Sequence, residues 1–407
     1  MNIVLHEMGT YAHARQLARA LASRGHMVSY VYCTSFQTPS LSSLTFGPGD
    51  NVTVLPIELD SQFAKWQLVR RFTQERAYGA QVASTMARLC PDLIISGNTP
   101  IEIQAAIQKM CEVSKTPFLF WLQDVYSLGI KSVLGKIPIV GHLIAARYYF
   151  LERRVARRSD GIVAISDDFS DLLVDWGVNP RSIEVIENWA ELPDFPLPLK
   201  ENDWAARHGL LGKHTFLYSG ALGFKHNPQL FLDLASEFRD EPDVRIVVIS
   251  EGYGAEWLSQ FRQAFPGLIL LPFQAAEDFP RALASADVLI AVLEPDAAKY
   301  SVPSKVLGYM TAGRPILAAI PAGNLAARTI LAASAGLVAD PEDPSEFRRV
   351  ARSLMDDADR RNQFGAAAFA YARANFEIGG IAGRFEEIFH RIAAKRVISR
   401  MPELPFC

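Results

Sequence analysis

The sequence predicts an α/β protein made of two Rossmann-like, doubly wound domains facing a central cleft. Three observations carry this. Short β-branched and apolar runs alternate with longer amphipathic stretches along the whole chain. Runs such as Ile246-Val247-Val248-Ile249 are apolar at successive positions, which marks strands covered on both faces in parallel sheets. The alternation breaks once, at Leu192-Pro193-Asp194-Phe195-Pro196-Leu197-Pro198-Leu199, where three prolines at alternate positions exclude a helix and a central strand. At roughly 100–200 residues per domain, 407 residues suit two domains.

Taken in order, the first series of strands is expected at residues 3–6, 27–33, 52–57, 92–96, 118–122, 161–165 and 183–186. Helical patterns lie between them at 11–23, 66–89 and 101–113. The proline segment then reads as the interdomain linker. The second series of strands is expected at 215–219, 245–250, 268–272, 288–293, 315–320 and 337–339. After Pro341 the chain becomes mainly helical. The domains are therefore expected at 1–195 and 200–377, with a last helix at 378–397 crossing back to the first. In open α/β sheets, ligands bind at the carboxyl ends of the strands, where helix amino ends favour phosphate.

Composition narrows the class. Hydrophobic residues are 49% and charged residues 21%, which excludes a disordered or collagen-like chain. Lys+Arg number 41 against 44 Asp+Glu, for a net charge of -3, so no nucleic-acid partner is expected. Cys33, Cys90, Cys111 and Cys407 show no metal or disulfide spacing, which fits a reducing compartment. The N-terminus lacks a signal-peptide pattern, and no apolar stretch reaches the roughly 18 residues of a spanning helix. A cytoplasmic protein is expected.

Three segments are candidates for phosphate contact. In the first turn, His6-Glu7-Met8-Gly9-Thr10-Tyr11, Gly9 either lets the backbone approach a phosphate or merely permits a tight turn, and Thr10 is placed to cap the helix that follows. There is no GxGxxG. In Tyr218-Ser219-Gly220-Ala221-Leu222-Gly223-Phe224-Lys225, two glycines follow a strand, and Lys225 is either a point charge for a diphosphate or an exposed loop lysine. In Tyr300-Ser301-Val302-Pro303-Ser304-Lys305, the helix start at Ser304 either presents N–H groups to an anion or is an ordinary start with a proline. A lysine so early in a helix opposes the dipole, so Lys305 calls for an anion or a distant carboxylate.

Asp124 ends a strand, where it either caps the next segment or accepts a proton from a hydroxyl. Residues 126–158 mix apolar side chains with Lys131, Lys136, Arg147, Arg153, Arg154, Arg157 and Arg158. That pattern fits docking on an anionic membrane surface, or a core helix with a solvated basic face. Asp167-Asp168 and Asp356-Asp357 suit capping and solvation, and no DxD ends a strand, so no metal cofactor is expected.

These pieces, with Phe120-Trp121-Leu122-Gln123-Asp124, Val185-Ile186-Glu187-Asn188-Trp189 and Val302-Pro303-Ser304-Lys305-Val306-Leu307-Gly308-Tyr309-Met310-Thr311-Ala312-Gly313-Arg314-Pro315, resemble the retaining GT-B glycosyltransferases of family four. The likeness extends to members that build colanic acid, exopolysaccharide or O-antigen. It implies a nucleoside-diphosphate sugar held by the second domain. Gly220, Lys225, Ser304 and Lys305 would meet the diphosphate, approached by Gly9 and Thr10. Phe273 and Gln274 would meet the base through their backbone. Asp124 would face the acceptor, a saccharide linked to polyprenyl diphosphate. It further implies a peripheral place on the inner face of the cytoplasmic membrane. The family's two glutamates, one for the donor sugar and one for the ribose, fall at Tyr300 and Gly308, so Tyr300 would stand at the sugar, and Glu294 or Asp296 could substitute for the carboxylate missing at Gly308. A scaffold that binds nucleotide-sugar without catalysis, or an epimerase of the same fold, is the alternative.

Overall fold

The computed structural model describes residues 1–36, 46–47, 49–64, 67–135, 137–192, 197–223 and 225–400. Residues 193–196 of the proline segment, with Lys136, Phe224 and Cys407, lie outside them. The chain forms two units, Met1–Asn188 with Glu377–Cys407, and Trp189–Phe376. The division thus precedes the proline segment, at Asn188.

The first unit runs β1 (Asn2–Glu7), α1 (Ala12–Ser23), β2 (Met27–Cys33), β3 (Val52–Ile57), α2 (Leu68–Arg88), β4 (Leu93–Gly97), α3 (Ile101–Ser114), β5 (Phe118–Leu122), α4 (Tyr126–Leu134), α5 (Val140–Arg158), β6 (Gly161–Ala164), α6 (Asp167–Asp175) and β7 (Ile183–Val185). Its seven strands are parallel, in the order β3-β2-β1-β4-β5-β6-β7. Central strands are buried at every position, as in β4 and β5. Edge strand β3 is only partly covered, which lets Pro56 sit there without breaking a ladder.

The second unit runs α7 (Asp203–Arg207), β8 (His214–Ser219), α8 (Gln229–Glu237), β9 (Val244–Ile249), α9 (Tyr253–Ser259), β10 (Leu268–Leu271), α10 (Phe279–Ala284), β11 (Val288–Val292), α11 (Lys305–Thr311), β12 (Ile316–Ala319), α12 (Leu325–Ala332), β13 (Gly336–Ala339), α13 (Pro344–Asp356) and α14 (Ala358–Asn375). Its parallel sheet has the order β10-β9-β8-β11-β12-β13. Phe216, Phe231, Ile246, Ile290 and Phe347 centre its core. The last helix, α15 (Ile378–Arg400), belongs to the first unit.

In each sheet the winding direction reverses once, between β1 and β4 and between β8 and β11. Loops leaving those strand pairs diverge, which opens a crevice at their carboxyl ends.

Candidate active site

The β8–β11 reversal gathers most of the phosphate candidates. Gly220 follows β8 with φ +144°, a region side chains rarely adopt. A Cβ there would lie 3.2 Å from Lys305 Cε and 3.3 Å from Nζ. Its own N–H donates to the Ile249 carbonyl at 3.0 Å, so glycine contributes space rather than a donor.

Lys305 opens α11. Its Nζ donates to the Tyr218 hydroxyl and lies 3.9 Å from the centroid of the same ring. The expected nearby carboxylate is not the partner: among the described residues no acidic side chain forms an ion pair with Lys305. Burial pulls its ammonium down to about 7. Helix α11 has only seven residues, and the Ser304 side chain makes no capping bond. The ammonium groups are therefore stronger candidates for anion contact than the helix start.

Lys225 Nζ donates to Ser301 Oγ at 3.0 Å and lies 5.2 Å from the Tyr300 ring centroid. Its carbonyl accepts from Glu294 N at 2.9 Å, which ties this loop to the end of β11. His226 sits among these groups. Burial first, then the charges of Lys305 and Lys225, hold its pKa at about 2, so it is neutral. The Tyr309 hydroxyl accepts from Ser219 N at 2.9 Å and donates to Ser219 O at 3.2 Å, pinning α11 to the end of β8.

Tyr300 is buried beneath Lys225 rather than open to a sugar. Glu294 is half-buried; burial, then Glu342 and Asp296, raise its pKa. Asp296 is exposed. At Gly308 a Cβ would meet nothing within 4 Å, so the space of the family's glutamate is open. Phe273 is half-buried after β10. Gln274 Oε1 accepts from Trp204 Nε1 at 2.8 Å and its Nε2 donates to Pro272 O at 2.7 Å, which occupies the side chain and leaves the loop backbone. Strand β10 is two places from β8, about 10 Å away at the usual strand spacing.

A second cluster lies at the β1–β4 reversal of the first unit. Glu7 ends β1, and its carboxylate accepts from Tyr11 N at 2.8 Å, from Asn98 Nδ2 at 3.3 Å and from the Tyr30 hydroxyl. Burial lifts Glu7 to about 8, against those hydrogen bonds and the charge of Arg15. The expected cap at Thr10 is not formed. Tyr11 is the N-cap of α1, and Glu7 receives its N–H. Gly9 and Thr10 are both buried. His13 Nε2 is 3.1 Å from Asn98 Nδ2, between the rings of Tyr11 and Trp121. Burial, then Arg15, holds it at about 4, so it too is neutral. His6 instead sits in the sheet, with Ser96 Oγ at 2.8 Å and Tyr78 OH at 3.2 Å.

Asp124 is exposed just before α4. It does not cap that helix. Glu152 of α5, which is buried, accepts from Tyr126 N and Ser127 N, each at 2.8 Å. The charge of Asp124 acts on Tyr11 and Glu152, so it belongs to the first-turn cluster.

Sequence reasoning missed Glu7, Asn98, Glu152, His226 and Tyr218 as members of these sites. Glu152 carried a signal: it is the single acidic residue in the basic stretch 126–158. The others are ordinary in sequence, and only their contacts in the folded chain give them a role. Among the described residues, no three His, Cys, Asp or Glu side chains are grouped to hold a metal ion.

Residues 8–189 match the family described as "Glycosyl transferase 4-like domain", and residues 213–357 match "Glycosyl transferases group 1". A Pseudomonas aeruginosa protein described as a glycosyltransferase, WbjE, is 25% identical over 275 residues, 65% of this chain and 66% of that protein. An Escherichia coli (strain K12) protein described as a colanic acid biosynthesis glycosyl transferase, WcaI, is 25% identical over 233 residues, 55% of this chain and 56% of that protein. The matched segments thus span less than two thirds of either relative. Anabaena Alr3699/HepE, solved with UDP and glucose, shares the fold with a TM-score of 0.70 at 15% identity, covering 96% of this chain and 99% of that one.

Proposed function

We propose that this chain, which joins a glycosyl transferase 4-like domain to a glycosyl transferases group 1 domain, transfers a sugar from a nucleoside-diphosphate donor to a saccharide in surface-polysaccharide assembly. The observation that carries the reading is the convergence of Lys225, Lys305 and Gly220 on the β8–β11 reversal.

As the bond from the anomeric carbon to the diphosphate breaks, negative charge gathers on the leaving phosphate. Two ammonium groups held in place stabilise that charge without reorganising at the moment of reaction. Lys305 gains its full charge when the anion arrives, because an adjacent negative group favours the protonated form. The base is assigned to the backbone after β10, with Phe273 beside it. Asp124 takes the acceptor hydroxyl, as hydrogen-bond acceptor or base. Independence from a metal ion, retention of anomeric configuration and a polyprenyl-diphosphate-linked acceptor belong to the same proposal. The likeness to WbjE and WcaI supports glycosyl transfer, and the description of WcaI as a colanic acid biosynthesis glycosyl transferase supports transfer into polysaccharide. The UDP in the Anabaena structure supports the donor class.

The open space at Gly308 favours a second reading, a nucleotide-sugar-binding protein without turnover. A thermal-shift panel of UDP-, GDP- and ADP-sugars tests both, since a ligand that binds the native state raises its melting temperature. One donor class is expected to shift it, with affinity reduced at least about tenfold in Lys225→Ala. A donor that binds is then offered with lipid-extract acceptors. Turnover supports transfer, whereas binding without turnover supports the second reading. No shift from any donor, or unaltered affinity in Lys225→Ala, rejects the site.

A further inference from the structure

Counted within the second unit, the six strands lie in the order 3-2-1-4-5-6, the order of dinucleotide-binding sheets. The first of them is β8, followed by Gly220 and Lys225, with Lys305 bonded to Tyr218 near its end. The second is β9, which lies between β8 and β10. On the proposed donor reading, on which this assignment rests, the diphosphate lies at the end of β8 and the base after β10. The ribose that joins them then crosses the end of β9, about 4.8 Å from either neighbouring strand. The loop there is held against the glycine turn. Leu222 N donates to Ser250 Oγ at 3.0 Å, and Gly254 N donates to Leu222 O at 2.9 Å. A Cβ on Gly254 would lie 2.7 Å from Leu222 Cβ, so a larger residue would push the two loops apart. Gly252, at φ +99°, turns the chain directly after Glu251.

Glu251 is exposed at that turn, and its carboxylate forms no hydrogen bond or ion pair among the described residues. A ribose presents two neighbouring hydroxyls as donors. An ionised carboxylate accepts from both, and charge makes each such bond roughly twice as strong as a neutral one. Sheets of this order use an acid in that way, while a glycine turn holds the phosphates. At Gly308 the space for such an acid is open. Glu294 and Asp296 follow β11, which flanks β8 on the side away from β10, so neither lies between phosphate and base. We propose that Glu251, at the end of β9, binds the ribose hydroxyls of the nucleoside-diphosphate donor, taking the place of the carboxylate missing at Gly308.

Calorimetric titration of the full chain with UDP, GDP and ADP, each beside its 2′-deoxy form, tests this. The nucleotide that binds should lose about tenfold in affinity with its 2′ hydroxyl, because a charge-assisted bond is lost. Glu251→Ala should weaken the ribonucleotide by about tenfold or more and bring the two forms within about twofold of each other. Glu251→Gln, which keeps one accepting oxygen, should fall between, and it serves if Glu251→Ala does not fold by circular dichroism. Lys225→Ala should weaken both forms alike and keep their ratio, because it acts on the phosphates. A merely structural role for Glu251 would also lower both affinities and keep the ratio, and that result overturns the proposal. So does a wild type indifferent to the 2′ hydroxyl. Tyr253 is 62% exposed on the same loop. A ratio erased by Tyr253→Phe but kept by Glu251→Ala would give the role to the tyrosine hydroxyl and overturn the proposal. Nucleotide binding that needs Lys225 and ignores Glu251 rejects this assignment alone, whereas binding of no nucleotide rejects the donor site and this assignment with it.

Discussion

An ammonium group covered by a phenol oxygen and the face of the same ring holds its proton weakly, and Lys305 is in that position. The folded chain binds that proton less tightly than the unfolded chain. Between about pH 7 and the ordinary lysine range the unfolded state therefore binds more protons, and this residue makes stability rise with pH. Donor binding has the opposite sign. A diphosphate favours the charged lysine, so above about pH 7 each binding event should take up a proton, approaching one near pH 8, with affinity falling up to about tenfold per pH unit. Calorimetry in two buffers of different ionisation enthalpy measures the uptake, which Lys305→Met should abolish. No uptake near pH 8 in the wild type would count against Lys305 as a diphosphate ligand. Gly220 and Lys225 stood out as candidates because they follow the end of a strand, and Lys305 because it opens a helix. The partner of Lys305 was not legible: Tyr218 is 87 residues away in sequence, and a ring face leaves no charge pattern to read.

Elements were legible nearly to their ends, helix caps much less so. The strand expected at 118–122 is β5, buried throughout, and 27–33 is β2. Apolar runs declare themselves because a strand between two helix layers tolerates nothing else. Capping by Thr10, and the capping alternative for Asp124, both gave way to carboxylates from elsewhere: Glu7 from the preceding strand and Glu152 from the following helix. A cap needs only an oxygen in the right place, and local sequence names the nearest oxygen rather than the best placed one. Glu152→Gln should turn an amide group towards one of two buried N–H donors, at a cost of about 1–3 kcal/mol. The melting temperature should fall, and transfer should slow while the donor KM stays unchanged, because the segment after Asp124 loses its anchor. Burial lifts Glu152 to about 7. An acid raised in the folded state stabilises below its ordinary pKa and loses that contribution as pH rises through about 7. Thermal melts across this range should show that slope in the wild type and a flatter one in Glu152→Gln. Identical slopes would reject the assignment.

For the whole molecule, the chain's last helix is part of its first unit. Ile381, Phe385, Ile388, Phe389 and Ile392 of α15 are all buried there, at about 1.5–3 kcal/mol each, so together they contribute roughly 10 kcal/mol. That equals the whole stability of a typical domain. Arg384 and Arg391 pair with Glu184, and Glu386 pairs with Arg24 and the half-buried His26; the solvent-facing arginine pairs add little. Deleting residues 378–407 should remove the calorimetric transition of the first unit and leave that of the second. Two retained transitions would show that α15 is dispensable. From the sequence alone came the two parallel α/β series, the break near the prolines and the loops that are candidates for phosphate contact, because periodicity and loop composition are local properties. The tertiary structure alone decided the strand orders, hence the reversals at β1–β4 and β8–β11 where those loops diverge. It alone decided which carboxylates, rings and imidazoles are buried beside them, because burial is a property of contacts between residues far apart in the chain, and burial is what moves their protons.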